Sequence, residues 1–391
     1  MPEQVITWLL FFSLFYLLIT TFILLRNRIE LTALRSDVDA SSENRKISVC
    51  IPARNEENNI LSLLESAVKQ SYQNYNIYLL DDHSTDKTYQ IAERFSEDYP
   101  GLVNLCKGEP KPDDWLGKPW ACNQLGRMAD GEILLFLDAD TTLGPSALEQ
   151  INRSFEYDST DMITVWPHQI LGSFWERAVI PLIYYALVTM LPSIYVYRKP
   201  RWMPSFAERR FRHIFAAACG QCIAITKEAY HQIGGHSSVK DEIVEDVELA
   251  KRIKREGLIL RMYHGVGTVN CRMYRNQTEM LNGLRKNFLA GFNNSLVLFT
   301  FFGLLHVVVF ILPFLTFIAA MFILNTTILY LSIASVGIIL THRLILSGWF
   351  KWDPLYAFIH PVGVLWYQKL GIIKIGDYLF GRKSEWKGRK V

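Results

Sequence analysis

The chain has little net charge for its length. Lys and Arg number 41 against 38 Asp and Glu, which gives a formal net charge of +3 at pH 7. Proteins that bind nucleic acids usually carry a clear excess of positive charge, so this balance gives no reason to expect nucleic acid as a partner. The 391 residues are 50% hydrophobic. That share is high for a soluble enzyme and predicts membrane segments beside one large domain or two smaller ones.

The segment 5–25 contains no charged residue. A helix needs about 20 apolar residues to cross the hydrocarbon core, so residues 1–28 are predicted to be a transmembrane anchor. A cleaved signal peptide is the alternative, but it requires a basic start, a shorter apolar region and a small-residue cleavage site, and none of these is evident. Several basic residues follow the segment: Arg26, Arg28, Arg35, Arg45 and Lys46. The positive-inside rule then predicts an integral protein of the cell membrane whose next domain is cytoplasmic.

The second apolar region, 295–346, is interrupted by the polar residues 325–327 and predicts two transmembrane helices. A weaker apolar stretch, 354–375, contains Pro361 and Lys369, and the tail 381–391 is strongly basic. A cytoplasmic tail requires an even number of spans after the central domain, which favours two spans and an interfacial stretch within 354–391. A third span in that region is the alternative.

Cysteine is scarce and does not form a pattern typical of metal sites. The chain has six cysteines, and 219-CGQC-222 has no second C-x-x-C partner. Two buried thiols beside a turn are a more frequent outcome than a metal or redox site, and a cytoplasmic domain would keep them reduced. His168, His236 and His264 receive no role, because lone histidines are more often structural.

Between the membrane segments, residues 46–291 show the pattern of an α/β domain. Apolar runs at 47–53, 77–82 and 133–140 predict strands, and 54–70 and 84–95 predict helices between them, with Ser84 as a candidate N-cap. Continuous apolar strands that alternate with helices indicate a mostly parallel sheet covered on both faces. Such sheets bind ligands at the carboxyl ends of their strands.

Four carboxylates follow two of these strands: Asp81, Asp82, Asp138 and Asp140. Carboxylates that cluster at one edge of a sheet repel each other unless a cation joins them, and hard divalent cations such as Mg²⁺ or Mn²⁺ prefer oxygen ligands. A single Asp-x-Asp is more often a turn or a helix cap. Two acidic strand ends in one predicted sheet strengthen the prediction of a metal site.

Five segments together resemble the family 2 glycosyltransferases, and they stand in the order typical of that family: 51-IPARNEENNI-60, 79-LLDDHSTDKT-88, 117-GKPWACNQ-124, 136-FLDADT-141 and 244-VEDVELAKRIKREG-257. Further segments resemble the membrane-anchored carotenoid (diaponeurosporenoate-type) and hopanoid-associated branch: 115-WLGKPWACNQ-124, 272-RMYRN-276 and 386-WKGRK-390. The resemblance implies a GT-A, Rossmann-like fold and inverting transfer of a hexose from a nucleoside diphosphate sugar, expected to be a UDP-sugar.

The resemblance also implies roles for particular residues. Asp82, with Asp81 beside it, matches a contact to the base. Asp138 and Asp140 match the family's Asp-x-Asp, which holds the ribose and the diphosphate-bound Mn²⁺ or Mg²⁺. Asp246 matches the catalytic base that takes the proton of the attacking hydroxyl. The alternative for Asp246 is a surface helix with acids in its first turn, where the helix dipole favours them.

Supporting positions carried over from the family lie around the nucleotide: Arg54, Glu56, Lys118, Asn123, Arg272 and Arg275. For Lys118 and Asn123, the alternative is an ordinary polar loop. The polymerising relatives carry Gln-x-x-Arg-Trp where this chain has 271-CRMYRNQ-277, which argues against processive polysaccharide synthesis. Two roles therefore stay open for Arg272 and Arg275: contacts to the diphosphate, or a basic patch beside the membrane.

The acceptor is predicted from composition. The segment 174–202 is rich in Trp, Tyr and aliphatic residues and ends in basic ones, which suits a helix at the membrane interface that delivers a lipid or isoprenoid acceptor, or else an ordinary core helix. A base is needed for an alcohol acceptor and not for an ionised carboxylate, so Asp246 favours a hydroxyl. Three functions compete: a lipid or carotenoid glycosyltransferase, a polyprenyl-phosphate sugar transferase or polysaccharide synthase, and a non-catalytic membrane scaffold.

Overall fold

The computed structural model describes residues 3–36, 43–292, 295–323, 325–382, 385–387 and 389–390. The chain divides into two compact units, each built from separate stretches of sequence. Leu31–Ile170 and Ser193–Met273 form the sheet unit, and Met1–Glu30, Leu171–Pro192 and Tyr274–Val391 form the helical unit.

The sheet unit is built on seven strands in the order β3-β2-β1-β4-β8-β6-β9. The first four in that order run parallel, β8 runs antiparallel to both neighbours, and β6 and β9 run parallel to each other. This mostly parallel α/β sheet confirms the predicted fold class. The strands are β1 Ile47–Ala53, β2 Tyr75–Asp81, β3 Val103–Lys107, β4 Ile133–Leu137, β6 Met162–Trp166, β8 Cys222–Thr226 and β9 Leu260–His264.

A smaller three-stranded sheet has the order β5-β10-β7, with β5 Thr141–Leu143, β7 His168–Gln169 and β10 Val269–Cys271. The helices of the sheet unit are α2 Ile60–Ala67, α3 Thr88–Asp98, α4 Gly117–Met128, α5 Ala147–Asp158, α7 Ile194–Tyr197, α8 Ser205–Phe211, α9 Lys227–Gln232 and α10 Glu245–Arg255. Two 3₁₀ segments, Arg212–Phe215 and Gly235–Val239, complete it.

The core of the sheet unit explains why the apolar runs form strands. Every residue of β4 is buried, as expected for a strand covered on both faces. On α2, the apolar positions with helical spacing are all buried against the sheet: Ile60, Leu63, Leu64 and Ala67. The apolar pattern thus decides which face of each element enters the core.

Three local predictions are wrong at their boundaries. The helix predicted to start at residue 54 begins at Ile60, because 54–59 form a loop that bonds to the β2–α3 loop. Ser84 is not an N-cap, since α3 begins at Thr88 and the residue before it is Lys87. The predicted strand 133–140 ends at Leu137, so its two carboxylates lie in the following turn.

The helical unit contains α1 Glu3–Glu30, α6 Phe174–Met190, α11 Gln277–Asn287, α12 Leu296–Phe310, α13 Leu312–Ile323, α14 Thr326–Phe350 and α15 His360–Leu379. Short 3₁₀ segments lie at Ala290–Phe292 and Pro354–Ala357, and a two-stranded pair joins β11 Glu385–Trp386 to β12 Arg389–Lys390. By length and composition, three helical stretches in the described part of the chain could cross a membrane: Glu3–Glu30, Leu296–Phe322 and Thr326–Phe350. The predicted apolar helices at both ends of the chain are therefore present.

Helices α1 and α14 run side by side in the same direction. At one end, Asn325 Nδ2 donates to Glu3 Oε2 at 3.2 Å, and Leu10 packs with Ile328. At the other end, the guanidinium of Arg28 lies 5.0 Å from the ring centroid of Trp349. The start of α1 and the start of α14 therefore lie at the same end of the bundle.

Helix α6 lies inside the helical unit, where it packs against α1, α14 and α15. It is apolar on nearly all sides, and ten of its residues are buried, which is typical of a helix surrounded by others. Its start is fixed by a capping box between Ser173 and Glu176. This division differs from the predicted domain 46–291, because Leu171–Pro192 and the residues from Tyr274 onward group with the apolar helices.

Candidate active site

Asp138 is the first residue after β4, and backbone hydrogen bonds fix the turn that carries it. Its N–H donates to Gln221 O at 3.1 Å, and its carbonyl accepts from Thr141 N at 3.1 Å and from Thr141 Oγ1 at 2.7 Å. The Asp140 carbonyl accepts from Arg272 N at 3.1 Å. The two carboxylates of the Asp-x-Asp pair are thus carried by a turn that is tied to neighbouring segments on both sides.

Lys118, in the first turn of α4, joins two acidic segments through its ammonium group. Its Nζ lies 2.7 Å from Asp138 Oδ1 and 3.0 Å from Glu245 Oε1, and it donates to Gly220 O at 3.4 Å. Burial alone would lower the pKa of Lys118, but the charges of Asp138 and Glu245 outweigh burial and raise it well above its usual value. Lys118 is therefore a permanent cation between the end of β4 and the start of α10.

Asp246 lies in the first turn of α10, and both of its carboxylate oxygens accept hydrogen bonds from backbone N–H groups. Gly220 N donates to Oδ2 at 2.7 Å and Val247 N donates to Oδ1 at 2.9 Å. Burial and the charge of Glu245 raise the pKa of Asp246 to about 6, against the opposing effects of Lys118 and the two N–H groups. A carboxylate with this pKa is mostly ionised at neutral pH and is a stronger base than an ordinary aspartate.

Gly220 permits this close arrangement. A Cβ at this position would lie 3.1 Å from Asp246 Oδ2 and 3.1 Å from Lys118 Nζ, closer than ordinary van der Waals contact. A narrow cavity lies here, lined by Pro52, Lys118, Cys122, Phe136, Leu137, Asp138, Gly220, Ile223, His236, Glu245, Asp246 and Leu249. The absence of a side chain at Gly220 thus allows Asp246 and Lys118 to lie this close to its backbone.

His236 lines the same cavity as a neutral ring. Burial and the charge of Lys118 lower its pKa to about 3, and its Nδ1 lies 2.9 Å from the hydroxyl of Tyr230. With this pKa it is not a base near neutral pH, so the candidate bases that line the cavity are carboxylates, among them Asp246.

A second group of predicted residues lies at the end of β2. Asp81 Oδ2 accepts from Ser84 N at 3.2 Å, whereas Asp81 Oδ1 is buried without a hydrogen-bond partner among the described residues. Arg54 Nη1 donates to Asp82 O at 2.5 Å and to His83 O at 2.9 Å, which fixes the loop after β2. Strand β1 lies between β2 and β4, so the two acidic strand ends are separated by one strand on the same edge.

The remaining predicted residues have different surroundings. Glu56 lies in the loop after β1, where its N–H donates to Thr88 Oγ1 at 2.7 Å. Asn123 is buried on α4, and its Nδ2 has no hydrogen-bond partner within the described ranges. Arg272 belongs to the sheet unit, but Arg275 belongs to the helical unit, where its N–H donates to Glu279 Oε2 at 2.9 Å.

Asp138 and Asp140 alone supply too few ligands for a hard cation such as Mg²⁺, so further oxygen atoms must complete the set. Among the residues that the structure describes, no three His, Cys, Asp or Glu side chains are grouped closely enough to hold a metal by themselves. Mg²⁺ is commonly held by one or two carboxylates, several waters and the phosphates of a substrate. Asp138 and Asp140 supply that number of carboxylates, so the donor set suits a metal that arrives with a diphosphate.

Two contributors to the site were not assigned roles from the sequence. From the sequence, Glu245 is only the neighbour of Asp246, and Gly220 is predicted to lie in a turn between two thiols. Glu245 is buried and shares the ammonium of Lys118 with Asp138. The glycine between Cys219 and Gln221 was the available signal for a close backbone approach.

Comparison with known proteins adds independent information. Residues 48–234 match the model of glycosyl transferase family 2. The chain is similar to the 4,4'-diaponeurosporenoate glycosyltransferases of Staphylococcus aureus (strain USA300), at 26% identity over 251 residues, and of Staphylococcus haemolyticus, at 27% over 254 residues. These alignments cover 63% and 64% of this chain and 62% and 63% of the two relatives, so they span less than two thirds of each relative's length. The expected likeness to diaponeurosporenoate-type enzymes is confirmed.

A solved mannosyltransferase from Pyrobaculum calidifontis, in complex with GDP-Man and Mn²⁺, has a similar fold. Its TM-score is 0.55 at 15% sequence identity, over 97% of this chain and 99% of that one. At this identity the likeness supports the GT-A-like fold alone. Residues 48–234 of this chain thus match glycosyl transferase family 2, and the chain has a GT-A-like fold.

Proposed function

We propose that the protein transfers a hexose, with inversion, from a nucleoside diphosphate sugar to a lipid or isoprenoid acceptor, and that Asp246 is the base. The observation that carries this proposal is the position of Asp246. Its carboxylate is fixed by two backbone N–H groups beside Lys118, and it has a pKa of about 6. This is close to the pKa at which a carboxylate serves best as a general base near neutral pH.

The donor is proposed to bind along the edge formed by the ends of β2 and β4. The buried, unpartnered Oδ1 of Asp81 can accept a hydrogen bond from a base or ribose, and Arg54 holds the backbone of Asp82 and His83 in place. Asp138 and Asp140 would hold Mn²⁺ or Mg²⁺, which neutralises negative charge on a departing diphosphate. A UDP-sugar is the expected donor.

Lys118 is proposed to change partners when the donor binds. In the structure its ammonium neutralises Asp138 and Glu245. A bound diphosphate would compete for the ammonium as a stronger anionic acceptor. Lys118 then adds positive charge at the leaving group and no longer screens Asp246, which favours proton uptake by Asp246.

The proposed transfer is a single displacement at the anomeric carbon. The acceptor oxygen forms a bond to the anomeric carbon from the side opposite the leaving group, while the bond from that carbon to the diphosphate oxygen breaks. The proton of the acceptor hydroxyl moves to the carboxylate of Asp246, and the electron pair leaves with the nucleoside diphosphate. The products are an inverted glycoside, the nucleoside diphosphate and protonated Asp246.

Two observations support the proposed class of acceptor. The curated relatives are named for diaponeurosporenoate, a carotenoid acid, and the chain has three helical stretches that could cross a membrane. Both favour a lipid-soluble acceptor. A raised-pKa base favours a hydroxyl over a carboxylate, so an isoprenoid or lipid alcohol is the preferred acceptor, ahead of a carotenoid acid or a polyprenyl phosphate. The basic residues after α1 support a cytoplasmic catalytic domain at the cell membrane.

The test is release of UDP by the purified protein in dodecyl maltoside, with Mn²⁺ or Mg²⁺, a panel of UDP-sugars and separate lipid alcohols, lipid acids and polyprenyl phosphates. Mass spectrometry of the lipids should find one added hexose with an alcohol, and Asp138→Ala should abolish it. Asp113→Ala, at an exposed position, is the matched control. Hexose on polyprenyl phosphate would indicate a polyprenyl-phosphate sugar transferase, and a polymer would indicate a polysaccharide synthase. If no sugar donor is consumed, the protein is a non-catalytic membrane scaffold.

A further inference from the structure

Arg343 is buried within the helical unit, and no carboxylate among the described residues neutralises its charge. It lies on α14, only 2% of its surface is exposed, and it forms no salt bridge in the described part of the chain. Among the described residues, its Nη2 donates to Tyr356 O at 3.4 Å, and Nε and Nη1 have no hydrogen-bond partner. A buried guanidinium keeps its charge, so the bundle contains an uncompensated cation.

Polar side chains lie at and next to Arg343 in the described part of the bundle, among them those that contact its neighbour His342. Thr21 Oγ1 lies 2.7 Å from His342 Nε2, and the hydroxyl of Tyr185 lies 2.9 Å from His342 Nδ1. His360 is 1% exposed, and neither of its ring nitrogens has a partner among the described residues. Arg343 and His306 lie close enough to His360 to interact with it electrostatically. Within the described residues, this cluster of Tyr185, His342, Arg343 and His360 contains hydrogen-bond donors and no acidic side chain.

The depth of the cluster indicates which anion could reach it. Arg343 lies seven residues before Phe350, the last residue of α14, so it is about 10 Å from the end of that helix. An arginine so near a helix end usually extends its side chain to the interface, but this one stays inside. A lipid headgroup that enters from the side of the bundle reaches this depth, whereas a water-soluble anion would have to cross apolar side chains.

We infer that Arg343, with His360 beside it, binds the ionised headgroup of a lipid, a carboxylate or a phosphate, within the helical bundle. Either headgroup can accept hydrogen bonds from Nε and Nη1 of the guanidinium, which have no partner among the described residues, and neutralise its charge. Ionisable residues inside membrane segments usually mark a ligand or ion site, since they are otherwise too unfavourable to retain. Ordered water could satisfy the N–H groups, but it would leave the positive charge uncompensated.

The site does not depend on the proposed sugar transfer, and it can be tested without the sugar donor. The purified full-length protein in dodecyl maltoside is titrated at pH about 9, where a carboxylic acid is ionised. The probes are oleate, oleyl alcohol as its uncharged analogue, and dioleoyl phosphatidic acid. The readout is the rise in the midpoint of thermal unfolding, Tm, with probe concentration.

We expect oleate or phosphatidic acid to raise the Tm of the wild-type protein and oleyl alcohol not to raise it. The stronger of the two ionised probes identifies the headgroup as carboxylate or phosphate. Arg343→Met should weaken the ionised probe by about tenfold or more, since the charged partner is lost. Without any lipid, the same variant should be at least as stable as the wild type, because a buried unpaired charge is removed.

Arg28→Met is the matched control, since Arg28 is an exposed arginine of the same bundle, and it should retain the full response. Equal stabilisation by oleate and oleyl alcohol in the wild-type protein would overturn the inference without any variant. An unchanged response in a folded Arg343→Met protein would also overturn it. If Arg343→Met does not fold, Arg343→Lys, which keeps the charge but loses the planar fork, should still respond more weakly than the wild type.

Discussion

At the residue scale, the candidate site is an electrostatic balance between one lysine and three carboxylates. Lys118 joins Asp138 and Glu245, and the Gly220 N–H holds Asp246 next to them. The pKa of Asp246 depends on this balance, because burial and Glu245 raise it while Lys118 lowers it. A change of one charge should therefore move the pH dependence of the reaction without altering the fold.

Glu245→Gln tests this dependence. Only the ionised form of Asp246 can take a proton, so the rate of the wild-type protein should rise with pH through the pKa of about 6 and then level off. Removal of the Glu245 charge lowers that pKa, so the rising limb should shift to lower pH. The measurement is kcat/KM against pH for both proteins. Glu242→Gln, at an exposed position, should leave the limb unchanged, and an unshifted limb in Glu245→Gln would contradict the coupling.

Gly220→Ala tests the close backbone approach. The added Cβ would lie 3.1 Å from Asp246 Oδ2, so the carboxylate must shift by a few tenths of an ångström. A displacement of about 1 Å can cost about 10²-fold in rate, so we expect kcat to fall by a smaller factor, about tenfold, while Tm changes little. Gly337→Ala, where a Cβ meets no atom within 4 Å, is the control. Full activity in Gly220→Ala would show that the close approach of the Gly220 backbone to Asp246 does not position the carboxylate.

At this scale, the sequence predicts only those site residues whose side chains match the motifs of the family. Resemblance to the family identified Asp246, Asp138 and Lys118 as candidates, and the structure brings these three together. It could not identify the Gly220 N–H as the group that holds Asp246, because a backbone donor leaves no trace beyond a glycine. The buried partner of Lys118, Glu245, was likewise indistinguishable from an acid at a helix start.

At the element scale, strands and helices of the sheet unit follow the apolar pattern, but loop and turn boundaries do not. The continuous apolar run of β4 and the helical spacing of α2 were sufficient to predict both. The start of α2 could not be predicted, because 54–59 are held by hydrogen bonds to a distant loop. Helix α6 shows the same limit, since its composition suited a core or an interface and only the packing against α1, α14 and α15 distinguishes them.

Helix α15 offers a test of packing against α6. A Cβ at Gly363 would lie 2.4 Å from the carbonyl oxygen of Ala178, so Gly363→Ala must push the two helices apart. We expect a loss of about 1–3 kcal/mol in the free energy of unfolding, the usual cost of overpacking. In the same helix, a Cβ at Gly376 meets nothing within 4 Å, so Gly376→Ala should stabilise by about 0.5–1 kcal/mol.

Thermal unfolding in dodecyl maltoside, followed by tryptophan fluorescence, distinguishes the two glycine variants. The expected order of Tm is Gly376→Ala, wild type, then Gly363→Ala. A Gly363→Ala protein as stable as Gly376→Ala would contradict the close contact between α6 and α15.

At the scale of the whole molecule, the parallel arrangement of α1 and α14 predicts the topology in the membrane. Residue Asn325 and the start of α1 lie at one end of the bundle, and Arg28 and Trp349 lie at the other. With the basic residues after α1 in the cytoplasm, the turn before α14 should be extracytoplasmic and Lys351 cytoplasmic.

Single cysteines introduced at Thr327 and Lys351 test this topology. In intact cells, a membrane-impermeant maleimide should label Thr327→Cys and not Lys351→Cys, and permeabilised cells should allow both to react. The six native cysteines are buried or partly buried, so the parent protein is the labelling control. Labelling of Lys351→Cys in intact cells would place the end of α14 outside and contradict the predicted topology.

The proposed function joins these scales: we propose that the chain transfers a sugar to a lipid-soluble acceptor with Asp246 as its base. The most direct measurement is the initial rate of hexose transfer to a lipid alcohol by the wild-type protein, Asp246→Asn and Asp241→Asn. Asp241 is exposed a few residues before α10 and receives the same substitution. We expect Asp246→Asn to lose about 10²–10⁴-fold in rate, with the Tm maintained and Asp241→Asn fully active. Full transfer by Asp246→Asn would contradict the claim.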